Sequence, residues 1–212
     1  MVKIWDNRSR NPVQSFPDAS DSITCVEEHS QVISTSCIDG KVRHYDLRKG
    51  VLNIDSFQSP IVSFVYSTNF PLRIRMSILS GTSDCYIIGL LDDTIRLVEL
   101  GDTLKTYKGH VYNNYRIKST MDPLEKFVIS GCCSGDILYY SLDGSSARTL
   151  YRGAHKGAVT CIAFSNPQLL TSAGKLKRDL EKNVRESLKS DSIAVSTGRD
   201  GALNVYTLSY RE

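Results

Sequence analysis

Short apolar runs broken by turn-forming residues recur along the chain, and Val32–Arg48, VISTSCIDGKVRHYDLR, shows the pattern in full. One apolar run leads into Asp39-Gly40, and a second run ends in Tyr45-Asp46. Asp-Gly between two β-rich segments predicts a hairpin with a two-residue type I′ turn, because both central residues of that turn need positive φ. The same grammar returns in IIGLLDDTIRLVEL (Ile87–Leu100), VISGCCSGDILYYSL (Val128–Leu142) and IAVSTGRDGALNVYTL (Ile193–Leu208). Its second half alone opens the chain as VKIWD.

Aligning the residue near the end of each second hairpin strand gives Trp5, Tyr45, Val98, Tyr140 and Tyr206, spaced 40, 53, 42 and 66 apart. A period near forty with aromatic-Asp closing the third of four short strands predicts an all-β chain, a β-propeller of the WD-repeat type. Trp5-Asp6 and Tyr45-Asp46 carry that signature, and its Gly-His partner stands at Gly109-His110 and, weakened, at Gly153-Ala154-His155. The predicted blades are 1–17 (second half only), 22–57, 61–107, 110–151 and 155–212, in one partial propeller of about four to five blades. The third blade's inner strand is expected at Tyr115–Ser119. The two long spacings place insertions at about 67–83 and 175–190, both between first and second strands. The second insertion has Leu176, Leu180, Val184 and Leu188 at i+4 spacing and predicts a short amphipathic helix.

A net charge of +3, from 26 basic and 23 acidic residues, argues against the field of a nucleic-acid or membrane-surface binder. The segment 175–190 carries that whole excess. The six cysteines form no C-x-x-C pair and fall mostly in apolar runs, which fits a reducing compartment. The N-terminus lacks an apolar signal core and no run is long enough to span a bilayer, so a protein neither secreted nor membrane-embedded is expected.

The segments IWDNRSRNPVQSF, DGKVRHYDLRKGVL, DDTIRLVELGDTLKTYKGH and NNYRIK are similar to the C-terminal part of the mitogen-activated protein kinase organizer family, seven-bladed WD-repeat scaffolds. The resemblance covers nearly the whole chain apart from the insertions. It implies a non-catalytic adaptor without cofactors, whose partners are proteins of kinase cascades or of pre-mRNA splicing complexes. Seven blades of about 42 residues need roughly 300, so the expected ring is incomplete. The chain would be a piece of a longer protein, or join blades from another chain, or close irregularly on its N-terminal strands. The resemblance also implies a blade-structural role for Trp5, Asp39, Gly40, Tyr45, Asp46, His110, His155 and Asp200. His155 would bond to Ser196 or Thr197 and to Asp200, whereas Ser134 stands where His110 would need an Asp.

Candidate contacts lie on the propeller rim, where exposed aromatics and arginines make good anchors: Tyr112, Asn113, Asn114, Tyr115 and Arg199. On the opposite face, the basic helix 175–190 could hold an acidic partner or, alternatively, RNA. Gly131-Cys132-Cys133-Ser134-Gly135 fits G-x-C-x-G, but it runs into a strand where a nucleophile elbow needs a helix. The four histidines, at 29, 44, 110 and 155, show no metal-ligand spacing.

Overall fold

The computed structural model describes all residues except 30, 68–84, 114, 145, 165–191 and 209–212. The predicted helix at 175–190 and nearly all of the earlier insertion therefore lie outside the described residues. Every described element is a strand, and the strands form five antiparallel sheets. A half-blade pairs β1 (Val2–Ile4) with β2 (Gln14–Phe16). Blade 1 holds β3 (Ile23–His29), β4 (Val32–Cys37), β5 (Lys41–Asp46) and β6 (Val51–Ser56). Blade 2 holds β7 (Ile61–Tyr66), β8 (Cys85–Leu90), β9 (Thr94–Glu99) and β10 (Asp102–Lys108). Blade 3 holds β11 (Ser119–Met121), β12 (Phe127–Gly131), β13 (Ile137–Ser141) and β14 (Arg148–Tyr151). Blade 4 has β15 (Val159–Phe164), β16 (Ser192–Gly198) and β17 (Leu203–Leu208).

The inner strands β3, β7, β11 and β15 stand side by side, and the cores lie between blades. Side chains alternate across a strand. In β8, Tyr86, Ile88 and Leu90 therefore meet Val42, Ile61 and Phe64 on one face, while Cys85 and Ile87 meet Met121, Val128 and Tyr140 on the other. Both faces of a middle blade are covered, which is why its strands read as continuous apolar runs. The last blade buries one face, with Tyr206 stacked on Tyr151 at 4.2 Å, and leaves Leu203 and Val205 exposed on the other.

The hairpin turns differ from the two-residue type I′ expectation. Ser36 pairs with Val42, and the turn closes with the Gly40 amide donating to the Cys37 carbonyl at 3.2 Å. Gly40 has φ +77°, whereas Asp39 is absent from the positive-φ residues. The loop is thus Ile38-Asp39-Gly40, a tight turn followed by one left-handed residue. It recurs at Cys133-Ser134-Gly135 and Arg199-Asp200-Gly201, and at Leu91-Asp92-Asp93 with Asp93 (φ +58°) in the glycine position. The middle residue keeps a negative φ, and at Asp39 and Asp200 its carboxylate accepts from the loop before the inner strand.

The third blade's inner strand is also displaced. Residues 115–118 are loop, and pairing begins at Ser119 opposite Ser130. The strand ends at Asp122, whose carboxylate accepts from the Phe127 and Leu124 amides at 2.6 and 3.2 Å and folds the chain back into β12.

A Cβ on Gly135 would lie 2.1 Å from the His155 carbonyl oxygen, at φ +87°. Gly135→Ala is expected to cost more than about 2 kcal/mol, from strain and displacement together. Gly153→Ala, at φ +61° with open space around it, should cost about 1 kcal/mol, and denaturant midpoints of the two variants compare them directly.

Candidate functional site

The rim carrying the hairpin turns also carries the loops that precede the inner strands, and turn carboxylates tie the two together. Within blade 1, Asp39 accepts from the Ser20 hydroxyl at 2.8 Å and from Arg43 at 2.6 Å, in an ion pair largely shut away from water. Burial opposes that charge, but the bonds from Arg43 and Ser20 hold the Asp39 carboxyl far below its ordinary value. Within blade 4, Asp200 accepts from the Lys156 amide at 2.9 Å. Two further carboxylates reach across to the next blade: Asp93 accepts from the Tyr112 amide at 2.6 Å, and Asp136 from the Gly153 amide at 2.7 Å.

The two loop histidines sit differently. His155 lies between Asp200, with Nδ1 3.0 Å from Oδ1, and Ser196, with Nε2 2.7 Å from Oγ. Thr197 lies instead beside Thr160. The Lys156 and Ala202 amides, outweighing desolvation, bring the Asp200 carboxyl down to about 2, with a further contribution from His155. His110 has Nδ1 2.8 Å from the Tyr140 hydroxyl, while its buried Nε2 has no hydrogen-bond partner among the described residues. Ser134, in the position of Asp200, bonds to Asp136 instead. Burial pushes His110 down to about 4, against the pull of Asp93 and Asp92.

The remaining blade residues are placed as follows. Tyr45 is buried and stacked on Phe16 at 4.3 Å, and Asp46 accepts from the Arg48 and Lys49 amides at 2.9 and 3.1 Å. Trp5 is 57% exposed, with Lys3 Nζ 5.9 Å from its ring centroid, so its indole fills no core here.

Among the contact candidates, Tyr112 is a correction. Its side chain is fully buried, packs at a tilt against His110 with ring centroids 4.5 Å apart and bonds to Ser119 at 3.1 Å. Asp93 fixes its backbone from the neighbouring blade, and the ring drops inward onto Ile117 and Val62. Asn113 is exposed at φ +46°, and Asn114 lies outside the described residues. Tyr115 and Arg199 come together: the Arg199 guanidinium carbon lies 4.9 Å from the centre of the half-buried Tyr115 ring. A loop of blade 3 and a turn of blade 4 thus share one exposed cation over one aromatic face.

A second polar cluster was missed in the sequence. Ser34 Oγ lies 2.6 Å from both His44 Nδ1 and the Tyr66 hydroxyl, His44 Nε2 lies 3.0 Å from Asp55 Oδ2, and the Tyr86 hydroxyl donates to the same oxygen at 2.5 Å. Burial works against the Asp55 charge, but the bonds from His44 and Tyr86 outweigh it and its pKa is lowered. Ser34 is fully buried and also held by Tyr66, so no substrate reaches it and the Ser-His-Asp order serves to join blades 1 and 2. At the G-x-C-x-G string, strands flank both sides, and burial pushes the Cys133 thiol up. No group of three or more potential metal ligands occurs among the described residues.

Residues 10–46 match the family model "WD domain, G-beta repeat". That match runs from β2 through β5, so one sequence repeat links the outer strand of one blade to the first three of the next. The chain is 32% identical over 173 residues to WD repeat domain-containing protein 83 of Rattus norvegicus, covering 79% of this chain and 50% of that protein. It is 29% identical to the WD repeat domain-containing protein 83 homolog of Dictyostelium discoideum, covering 82% and 59%. It thus spans about half the length of the curated relatives it matches. Among solved structures, the computationally designed Ika4 protein superposes with a TM-score of 0.60 at 18% identity, over 92% of this chain and 96% of that one.

The two titrating groups separate in pH. An unfolded chain protonates its histidines near 6.5 while folded His110 resists until about 4, so stability drops as pH falls from 6.5 to 4. Asp200 contributes above its ordinary value of 3.8 and loses that contribution as pH falls through about 2. Urea titrations across pH should show His110→Asn flattening the upper window and Asp200→Asn the lower one.

Proposed function

Because this chain is an all-β WD-repeat protein, we propose that it works as a non-catalytic interaction scaffold, docking protein partners on the rim where Arg199 lies over Tyr115. That pair is the observation that carries the reading. A guanidinium held over an aromatic face presents a flat, preoriented donor beside an apolar surface, the combination enriched at binding hot spots. The loops on either side are tied by carboxylates to the hairpin turns, so little ordering entropy is lost when a partner docks.

The resemblance of IWDNRSRNPVQSF and DGKVRHYDLRKGVL to the kinase-organizer scaffolds supports partners from kinase cascades or pre-mRNA splicing complexes, met in the cytoplasm and nucleus. The relatives named WD repeat domain-containing protein 83 support the same reading.

Affinity capture with the 212-residue chain, followed by mass spectrometry, tests it. Wild-type protein is expected to retain kinase-cascade or splicing components. The double variant Tyr115→Ala/Arg199→Glu should lose them about tenfold, with stability within about 0.5 kcal/mol of wild type. Tyr112→Ala, by contrast, should lose several kcal/mol because it empties a buried aromatic site. Capture that is unchanged in the double variant would overturn the assignment of this rim.

A further inference from the structure

The opposite rim carries a cavity of about 450 Å³ between blades 1 and 2. Its floor is the polar network: His44, Asp55 and Tyr86 line it. Leu100 in the β9–β10 turn, 60% exposed, stands at its edge. Its mouth holds Arg48 and Lys49, from the β5–β6 loop.

Leu100 is the residue that local physics does not want. Asp102 pairs with Glu99, so the turn is Leu100-Gly101 alone, and both residues have positive φ, +51° and +87°. This is the type I′ geometry, which Asn, Asp or Gly adopts at little cost and a leucine adopts with strain of about 1 kcal/mol. Leu100 also holds an apolar side chain out in water. Gly101 is required where it stands, because a Cβ there would lie 2.8 Å from Asp55 Oδ1. The turn of blade 2 is thereby laid over the carboxylate of blade 1, with Leu100 projecting at the cavity edge.

The acidic groups of the cavity are already engaged. Asp55 Oδ2 accepts from Tyr86 and faces His44, and Asp46 accepts from two backbone amides, with Lys49 Nζ 3.9 Å away. The Arg48 side chain is exposed and makes no hydrogen bond among the described residues. What the cavity offers a visitor is therefore one free guanidinium beside one exposed leucine. A guanidinium pairs two-pronged with a carboxylate, and the leucine suits an aliphatic side chain next to it. We propose that this groove binds an extended peptide segment of a partner protein in which aliphatic and acidic residues alternate, its carboxylate on Arg48 and its aliphatic side chain against Leu100. Single-stranded nucleic acid fits less well, since one guanidinium and one aliphatic side chain supply neither a basic track nor a stacking platform.

Fluorescence anisotropy with the 212-residue chain and a labelled acetyl-Leu-Glu-Leu-Glu-Leu-amide peptide tests the site. Saturable binding is expected, weakened about tenfold by Arg48→Glu, which should in turn favour the corresponding Leu-Lys peptide. Leu100→Asn should weaken binding while thermal stability holds or rises, because Asn tolerates positive φ; a leucine kept for folding alone would not separate the two readouts. Absence of saturable binding, indifference to Arg48→Glu, equal binding of the Leu-Lys peptide by wild type, or displacement of the peptide by an oligouridine would each overturn the proposal.

Discussion

The constraint on which the rest depends is the close approach of the hairpin turns of blades 1, 2 and 3 to the loop of the following blade. The turn ends in a left-handed residue, Gly40, Asp93, Gly135 or Gly201. That conformation brings backbone to backbone: the Phe57 amide donates to the Gly40 carbonyl at 2.7 Å, and the His155 amide to that of Gly135 at 3.0 Å. Carboxylates beside these turns then secure loop amides, Asp93 for Tyr112 and Asp136 for Gly153. Turn, loop and inner strand therefore move as one unit. The apolar surfaces between blades are brought into register by these short polar contacts and supply the bulk of the stabilisation.

Much of this was legible in the sequence, because repeated Gly, Asp and aromatic-Asp positions mark a unit too small to bury its own faces. The partners of His155 were implied by the family resemblance, which left the strand hydroxyl open between Ser196 and Thr197; Ser196 is the one that lies against the ring. The turn class could not be read: Asp-Gly suits a two-residue turn as well as a three-residue one, and at Asp39-Gly40 the strands pair as far as Ser36 and Val42, leaving three residues in the loop. Tyr112 misled for a similar reason. Its neighbourhood, HVYNNYR, reads as a polar loop, and only a carboxylate from the preceding blade turns the ring inward. The network of Ser34, His44, Asp55, Tyr66 and Tyr86 spans two blades, and no local spacing announces it. Pattern reports what a segment does within its own blade; contacts between blades escape it.

The same geometry separates two surfaces. On one rim, short turns and stapled loops present Tyr115 and Arg199 on a fixed base. On the other, the β5–β6 loop and the β9–β10 turn frame a groove over a buried polar floor. Neither surface holds a group of three or more potential metal ligands among the described residues, and both offer shape and charge that precede any partner. A surface ordered in this way loses little entropy when a partner docks on it.

That order is the central claim, and native-state hydrogen exchange at the Tyr112, Gly153 and Lys156 amides measures it most directly. Each donates to a turn carboxylate, at 2.6, 2.7 and 2.9 Å. Opening free energies close to those of the β8 and β12 strand amides would mean that the rim is held as rigidly as the blades. Exchange at the rate of unprotected loop amides would contradict the account, because the contact surface would then be ordered by its partner and not by the turns beneath it.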